Sequence, residues 1–88
     1  MIRVRFTFSF IKHLKHLEKD LFSEVLEKIE LFKNPKNHPL LKVHKLHGRL
    51  SDFYSCSVNY KTRIVFEYGT KNKKEAWLHF VGDHDVYK

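Results

Sequence analysis

Eighty-eight residues with a formal net charge of +7, 42% apolar side chains and thirteen aromatics fit a small, basic, folded chain and exclude a disordered one. No apolar run approaches the ~20 residues of a membrane span and no signal peptide opens the sequence, so a soluble, cytoplasmic protein of one domain over residues 1–88 is expected. The single cysteine, Cys56, cannot form an internal disulfide; in a strand-like run it reads as a small core residue rather than a nucleophile.

Taken in order, Ile2 to Phe8 alternates, with Ile2, Val4, Phe6 and Phe8 on one face and Arg3, Arg5 and Thr7 on the other. That is a half-buried strand. From Phe10 the apolar period becomes helical through Leu14, Leu17 and Leu21, and Ser9 is a suitable N-cap. A second helix carries the stripe Leu21, Phe22, Val25, Leu26, Ile29 and Phe32. It should stop near Asn34, because Pro35 disfavours helical geometry in the residue before it. A break around Lys19 or Asp20 makes the two helices a hairpin.

Asn34 to Pro39 reads as loop, and Leu40 to Leu50 as a short, basic, histidine-rich stretch with a turn at Gly48. Strands follow over Phe53–Asn59 and Thr62–Tyr68, joined tightly around Tyr60 and Lys61, and a last strand runs over Ala76–Val81. The order β-α-α-β-β-β predicts an α+β fold of two layers: an N-terminal strand, a helical hairpin, then a three-stranded antiparallel meander. The helix-covered face should take Ile2, Val4, Phe6, Tyr54, Cys56, Val58, Ile64, Phe66, Leu78 and Phe80. The uncovered face then receives Arg3, Arg5, Ser55, Ser57, Arg63, Trp77 and His79, a basic surface with an aromatic ring suited to RNA.

Charge is unevenly placed. Lys33 to Arg63 holds seven Lys or Arg and one acid, Asp52, whereas Glu18 to Glu30 holds five acids and two bases. A basic middle segment points to a polyanionic partner, nucleic acid or an acidic protein. The histidine pairs His13/His16 and His44/His47 lack a nearby carboxylate or thiol, so no metal or other cofactor is expected; His13 and His16 read as surface residues of the first helix. There is no phosphate-binding glycine loop and no serine or cysteine nucleophile motif.

What remains is His44, Lys45, His47, Arg49, Arg63, His84 and Tyr87, with Lys42 and Lys61 adding charge. RNA cleavage by side chains alone needs this mixture. A base takes the proton of the 2′-hydroxyl as it attacks the neighbouring phosphate, cations hold the phosphorane charge, and an acid protonates the departing 5′-oxygen. Histidine suits the proton transfers, and arginine the phosphate. The bland alternatives are equally concrete. Arg63 would pair with Glu67 or Asp52, Tyr87 would cap the core, and His44 and His47 would be plain basic surface.

Leu46-His47-Gly48-Arg49-Leu50, the strand Thr62-Arg63-Ile64-Val65-Phe66-Glu67-Tyr68 after Tyr60-Lys61, and Phe80-Val81-Gly82-Asp83-His84-Asp85-Val86-Tyr87 together resemble the RelE/ParE superfamily of toxins from type II toxin–antitoxin modules. The nearest flavour is the RelE, YoeB and YafQ branch of mRNA interferases. The resemblance implies a RelE-like fold and a metal-independent endoribonuclease that cleaves mRNA, on or off the ribosome, and is held by a cognate antitoxin protein. It implies a catalytic set of His84, Tyr87, Arg63 and His44: Arg63 on the scissile phosphate, Tyr87 at the 2′-hydroxyl, and His84 and His44 where YafQ-like members have functional histidines. Lys42, Lys45, His47, Arg49 and Lys61 fall to RNA binding. Ser57 and Lys61 stand where YafQ-like members have a histidine and an aspartate. The other branch of the superfamily, ParE-like toxins that inhibit gyrase without cutting RNA, is the alternative, as is a module that only binds RNA or an antitoxin.

Overall fold

The computed structural model describes residues 1–83. The chain forms β1 (Arg3–Phe6), α1 (Phe8–Lys15), α2 (Lys19–Phe32), β2 (His44–Lys45), β3 (Tyr54–Ser57), β4 (Thr62–Tyr68) and β5 (Glu75–Asp83). The five strands make one sheet in the order β1-β5-β4-β3-β2, with β1 parallel to β5 and every other pair antiparallel. The helical hairpin carries the chain from β1 at one edge of the sheet to β2 at the other, and both helices contribute to one core against it. Phe10, Val25, Ile29 and Phe32 from the helices meet Cys56, Ile64, Phe66, Ala76, Leu78 and Val81 in one core. At its centre the Phe32 and Phe66 rings meet edge to face at 4.8 Å.

The expected α+β architecture is the observed one, with local corrections. α1 begins at Phe8, and its N-cap is Thr7 rather than Ser9. Thr7 has the extended backbone a cap requires, and its hydroxyl oxygen accepts from the Phe10 N–H at 3.1 Å. The same hydroxyl donates to the Leu78 carbonyl, so the cap also ties α1 to β5. Thr7→Ala should therefore lower unfolding free energy by about 1 kcal/mol, the usual worth of an N-cap. Thr7→Ser should recover most of it in urea denaturation, and equal stability of all three proteins would refute the cap. α2 starts at Lys19 because the Glu18 carboxylate accepts from Leu21 N–H at 2.6 Å.

Two further corrections concern the sheet. The stretch expected to be only short and basic contributes a two-residue edge strand, β2, paired to β3 through His44–Ser55 and Lys45–Tyr54. β5 runs past Gly82 to Asp83, not stopping at Val81, and carries a bulge: Phe66 pairs with Leu78 but Val65 with Phe80, leaving His79 as the extra residue. The bulge reverses parity along the strand. Val81 takes the core position beside Ile64, and Phe80, expected in the core, is 38% exposed on the opposite face. Phe6, also expected inside, is 42% exposed near the end of β1, stacked on Phe10.

The face away from the helices is only partly open. Phe53 and His79 meet edge to face at 5.1 Å across β4, and His79 Nε2 lies 2.9 Å from a Glu67 carboxylate oxygen. Beneath this arch Val65 and Ser55 are fully buried. His79 is thus engaged within the sheet. Nor is His13 a plain surface residue: it stacks on Phe80 at 5.5 Å, with its Nδ1 buried and without a partner.

Candidate functional site

Arg63 is placed by the turn that precedes β4. The Asn59 side-chain carbonyl accepts from the N–H groups of Lys61 and Thr62, closing the turn, while its amide donates to Glu24 on α2 at 2.9 Å. The start of β4 is thereby pinned to the helical layer. Arg63 then points to the face away from the core, flanked by Ser57 on β3 and Gly82 on β5. One guanidinium nitrogen, Nη1, donates to the main-chain carbonyls of Asn59 and Thr62. Its remaining donors have no partner among the described residues, and it forms no ion pair. The pairing with Glu67 or Asp52 does not occur; Glu67 is engaged with His79.

Beside Arg63 the sheet edge opens into a cleft of about 380 Å³ whose polar lining is Lys28, Lys42, Ser57, Asn59, Tyr60 and Arg63. Among the described residues no carboxylate lines it. Arg63 and Lys42, with Lys28 whose ammonium lies 3.5 Å from a Glu27 carboxylate oxygen, give the cleft a positive potential, and Tyr60, 89% exposed, adds an aromatic face at the rim. Such a site can hold a phosphate with Arg63 as the fork-shaped donor and the lysines as point charges. Lys42 sits there in a left-handed backbone conformation, φ 55°.

The sequence candidates divide among several places. Lys42 lies with Arg63. Lys61 is exposed in the adjoining turn. His44 is on the edge strand, its Nδ1 2.8 Å from the Lys42 carbonyl; two strand spacings and one two-residue step separate it from Arg63, roughly 12 Å between Cα atoms. Lys45 belongs to the other side of the sheet, beside Tyr54. His47 and Arg49 are exposed around the Gly48–Leu50 turn, where Gly48 has φ 69°. His84 and Tyr87 lie outside the described residues. β5 pairs Gly82 with Arg63 and Asp83 with Thr62, so the strand's last residues, just before His84 in sequence, run alongside the arginine.

Sequence reading missed Lys28, which followed the polar pattern of α2, and Tyr60, which read only as part of a turn. Cys56 is a core residue: burial pushes its thiol up to about 12, against a smaller opposing pull from Arg63, so the reactive thiolate is not formed near neutrality.

A helical hairpin on a sheet ordered β1-β5-β4-β3-β2 with β1 parallel is the RelE/ParE-type toxin fold. Solved structures of that fold superpose on nearly the whole chain. They include the toxin–antitoxin complex RelBE2 from Mycobacterium tuberculosis (19% identity, TM-score 0.75, covering 94% of this chain and 98% of that one) and the archaeal RelE–RelB complex from Pyrococcus horikoshii (20%, 0.70, 97% of each). The YoeB–YefM complex from Staphylococcus aureus is similar as well (18%, 0.71, 96% and 98%). No profile of a known protein family and no curated protein sequence matches the chain.

Proposed function

We propose that this protein is the toxin of a type II toxin–antitoxin module and acts as an endoribonuclease on mRNA, the whole chain working as one toxin domain in the cytoplasm. The observation that carries the reading is Arg63: it lines a basic cleft in which no described residue is an acid, beside the point where β5 leads into the segment bearing His84 and Tyr87. In the proposed reaction Arg63, Lys28 and Lys42 hold the scissile phosphate and its growing negative charge. Tyr87 orients the 2′-hydroxyl, whose proton passes to solvent water as its oxygen attacks, and His84 protonates the departing 5′-oxygen. The 2′-oxygen–phosphorus bond forms as the phosphorus–5′-oxygen bond breaks, leaving a 2′,3′-cyclic phosphate and a 5′-hydroxyl.

His44, across β3 from Arg63, takes a flanking role in RNA contact, with Lys61, His47 and Arg49 along the same basic edge. Lys45 is set apart from them by its face. The partner is an acidic antitoxin, as RelB and YefM partner the similar toxins. Its carboxylates would neutralise the cleft.

Incubating the purified protein with a defined mRNA, with and without ribosomes, and mapping the new ends tests the reading. The expected result is discrete cleavage leaving 5′-hydroxyl ends. Intact RNA in both conditions would overturn the nuclease assignment.

A further inference from the structure

A second cleft lies on the helix side of the sheet, away from the face that presents Arg63. Its floor is Tyr54 and Tyr68, whose rings meet edge to face at 4.8 Å. Apolar walls come from Ile2, Pro35 and Val43, and the cleft, about 460 Å³, falls in the size range of small-ligand sites. Lys73 stands over the tyrosines, Lys45 and His44 line the cleft beside them, and among the described residues no acid lines it. Tyr68 is five residues along β4 from Arg63, on the order of 17 Å.

Lys73 is held there at a cost. Its backbone is left-handed, φ 60°, a conformation that lysine rarely adopts. The turn is locked by Lys73 N–H to the Thr70 carbonyl and by Lys74 N–H to the Thr70 hydroxyl and the Asn72 side chain. The result places the Lys73 ammonium 5.3 Å from the centre of the Tyr68 ring and 5.5 Å from that of Tyr54. Neither phenol hydroxyl bonds another described residue. Burial, with Tyr54 and Cys56 nearby, raises Tyr68 above the usual tyrosine range, so its hydroxyl stays a neutral donor.

Aromatic faces beneath paired ammonium groups match one ligand chemistry: a flat ring joined to an anion. We propose that this cleft binds a nucleoside phosphate, the base against Tyr54 and Tyr68 and the phosphate between Lys45 and Lys73. A cationic ligand would find the same rings, but Lys45 and Lys73 oppose it, with Lys71 beside them outweighing Asp52 in the adjoining hollow. The nucleotide can be free or can be one residue of an RNA chain. The site does not depend on the nuclease reading, since it shares no residue with the Arg63 cleft.

NMR titration of the full-length protein tests it, reading the backbone amides of Lys45, Tyr54, Tyr68 and Lys73. AMP should give saturable shifts at these amides, with adenosine and inorganic phosphate each at least ~10-fold weaker, because each alone forfeits stacking or charge-assisted bonds. Lys73→Gly suits the left-handed turn and removes the side chain with its ammonium, so it should fold normally and weaken AMP binding about 10-fold, with Lys73→Arg restoring it. Arg63→Ala should leave the AMP shifts unchanged, which separates this site from the nuclease. Hexa-adenylate binding through the same amides more tightly than AMP identifies an RNA-borne ligand; equal affinity identifies a free nucleotide. Absence of saturable shifts at these amides with either probe, or Lys73→Gly binding within twofold of wild type, overturns the proposal.

Discussion

Arg63→Ala should reduce RNA cleavage by about 10²–10³-fold, the usual loss when one preorganised donor to a developing oxyanion is removed, while the fold survives. Both halves follow from how the side chain is held. Within the protein Arg63 makes only main-chain hydrogen bonds, to the Asn59 and Thr62 carbonyls, and no ion pair among the described residues. It is half-buried, and the turn it sits on is closed independently by the Asn59 side chain. Losing those bonds should cost about 1 kcal/mol of stability, within the range for single hydrogen bonds. Arg63→Lys should recover little activity, since an ammonium cannot keep Nη1 on the turn and present a second, parallel pair of donors to phosphate. Single-turnover cleavage and thermal melting of the three proteins check this. A melted Arg63→Ala protein, or a fully active one, would each sink the phosphate-clamp role, the first by making Arg63 structural and the second by making it idle.

Why Arg63 was legible in the sequence, and its companions less so, is a matter of range. In β4 Arg63 sits one residue before Ile64 and three before Phe66, both in the core, so its outward face follows from the two-residue period of a strand, and α2 ends where Pro35 requires. β5 was legible only up to its bulge. One extra residue at His79 has no sequence signature, yet it moves Phe80 out of the core and Val81 into it. β2 is two residues long, too short to show a period. Its register is set by pairing with β3, His44 to Ser55 and Lys45 to Tyr54, which no local period announces. Thr7 and Ser9 are equally good caps by type; the bond from Thr7 to the Leu78 carbonyl, 71 residues away, decides between them. Lys28 obeys the solvated pattern of a helix surface, and only the tertiary fold brings it to the cleft beside Arg63.

His84→Gln should lose about 10²–10⁴-fold in single-turnover cleavage, the range for removing a general acid or base, with RNA affinity within a few-fold of wild type. Glutamine keeps polarity and approximate size but cannot titrate, so the comparison isolates the proton. The direction of the pH dependence distinguishes the roles. As the acid that protonates the 5′-oxygen, His84 acts only in its charged form, so the wild-type rate should fall as pH rises across the neutral range. As a base it would show the opposite slope. His84→Gln should be flat across that interval in either case. Removing residues 84–88 should spare the fold, because β5 keeps its pairing through Asp83 and its core contacts at Leu78 and Val81. The truncated protein should retain RNA binding through Arg63, Lys28 and Lys42 and lose cleavage. Cleavage by His84→Gln within a few-fold of wild type, or an unchanged pH profile, would remove His84 from the proton transfers and leave the phosphate cleft to act by charge alone.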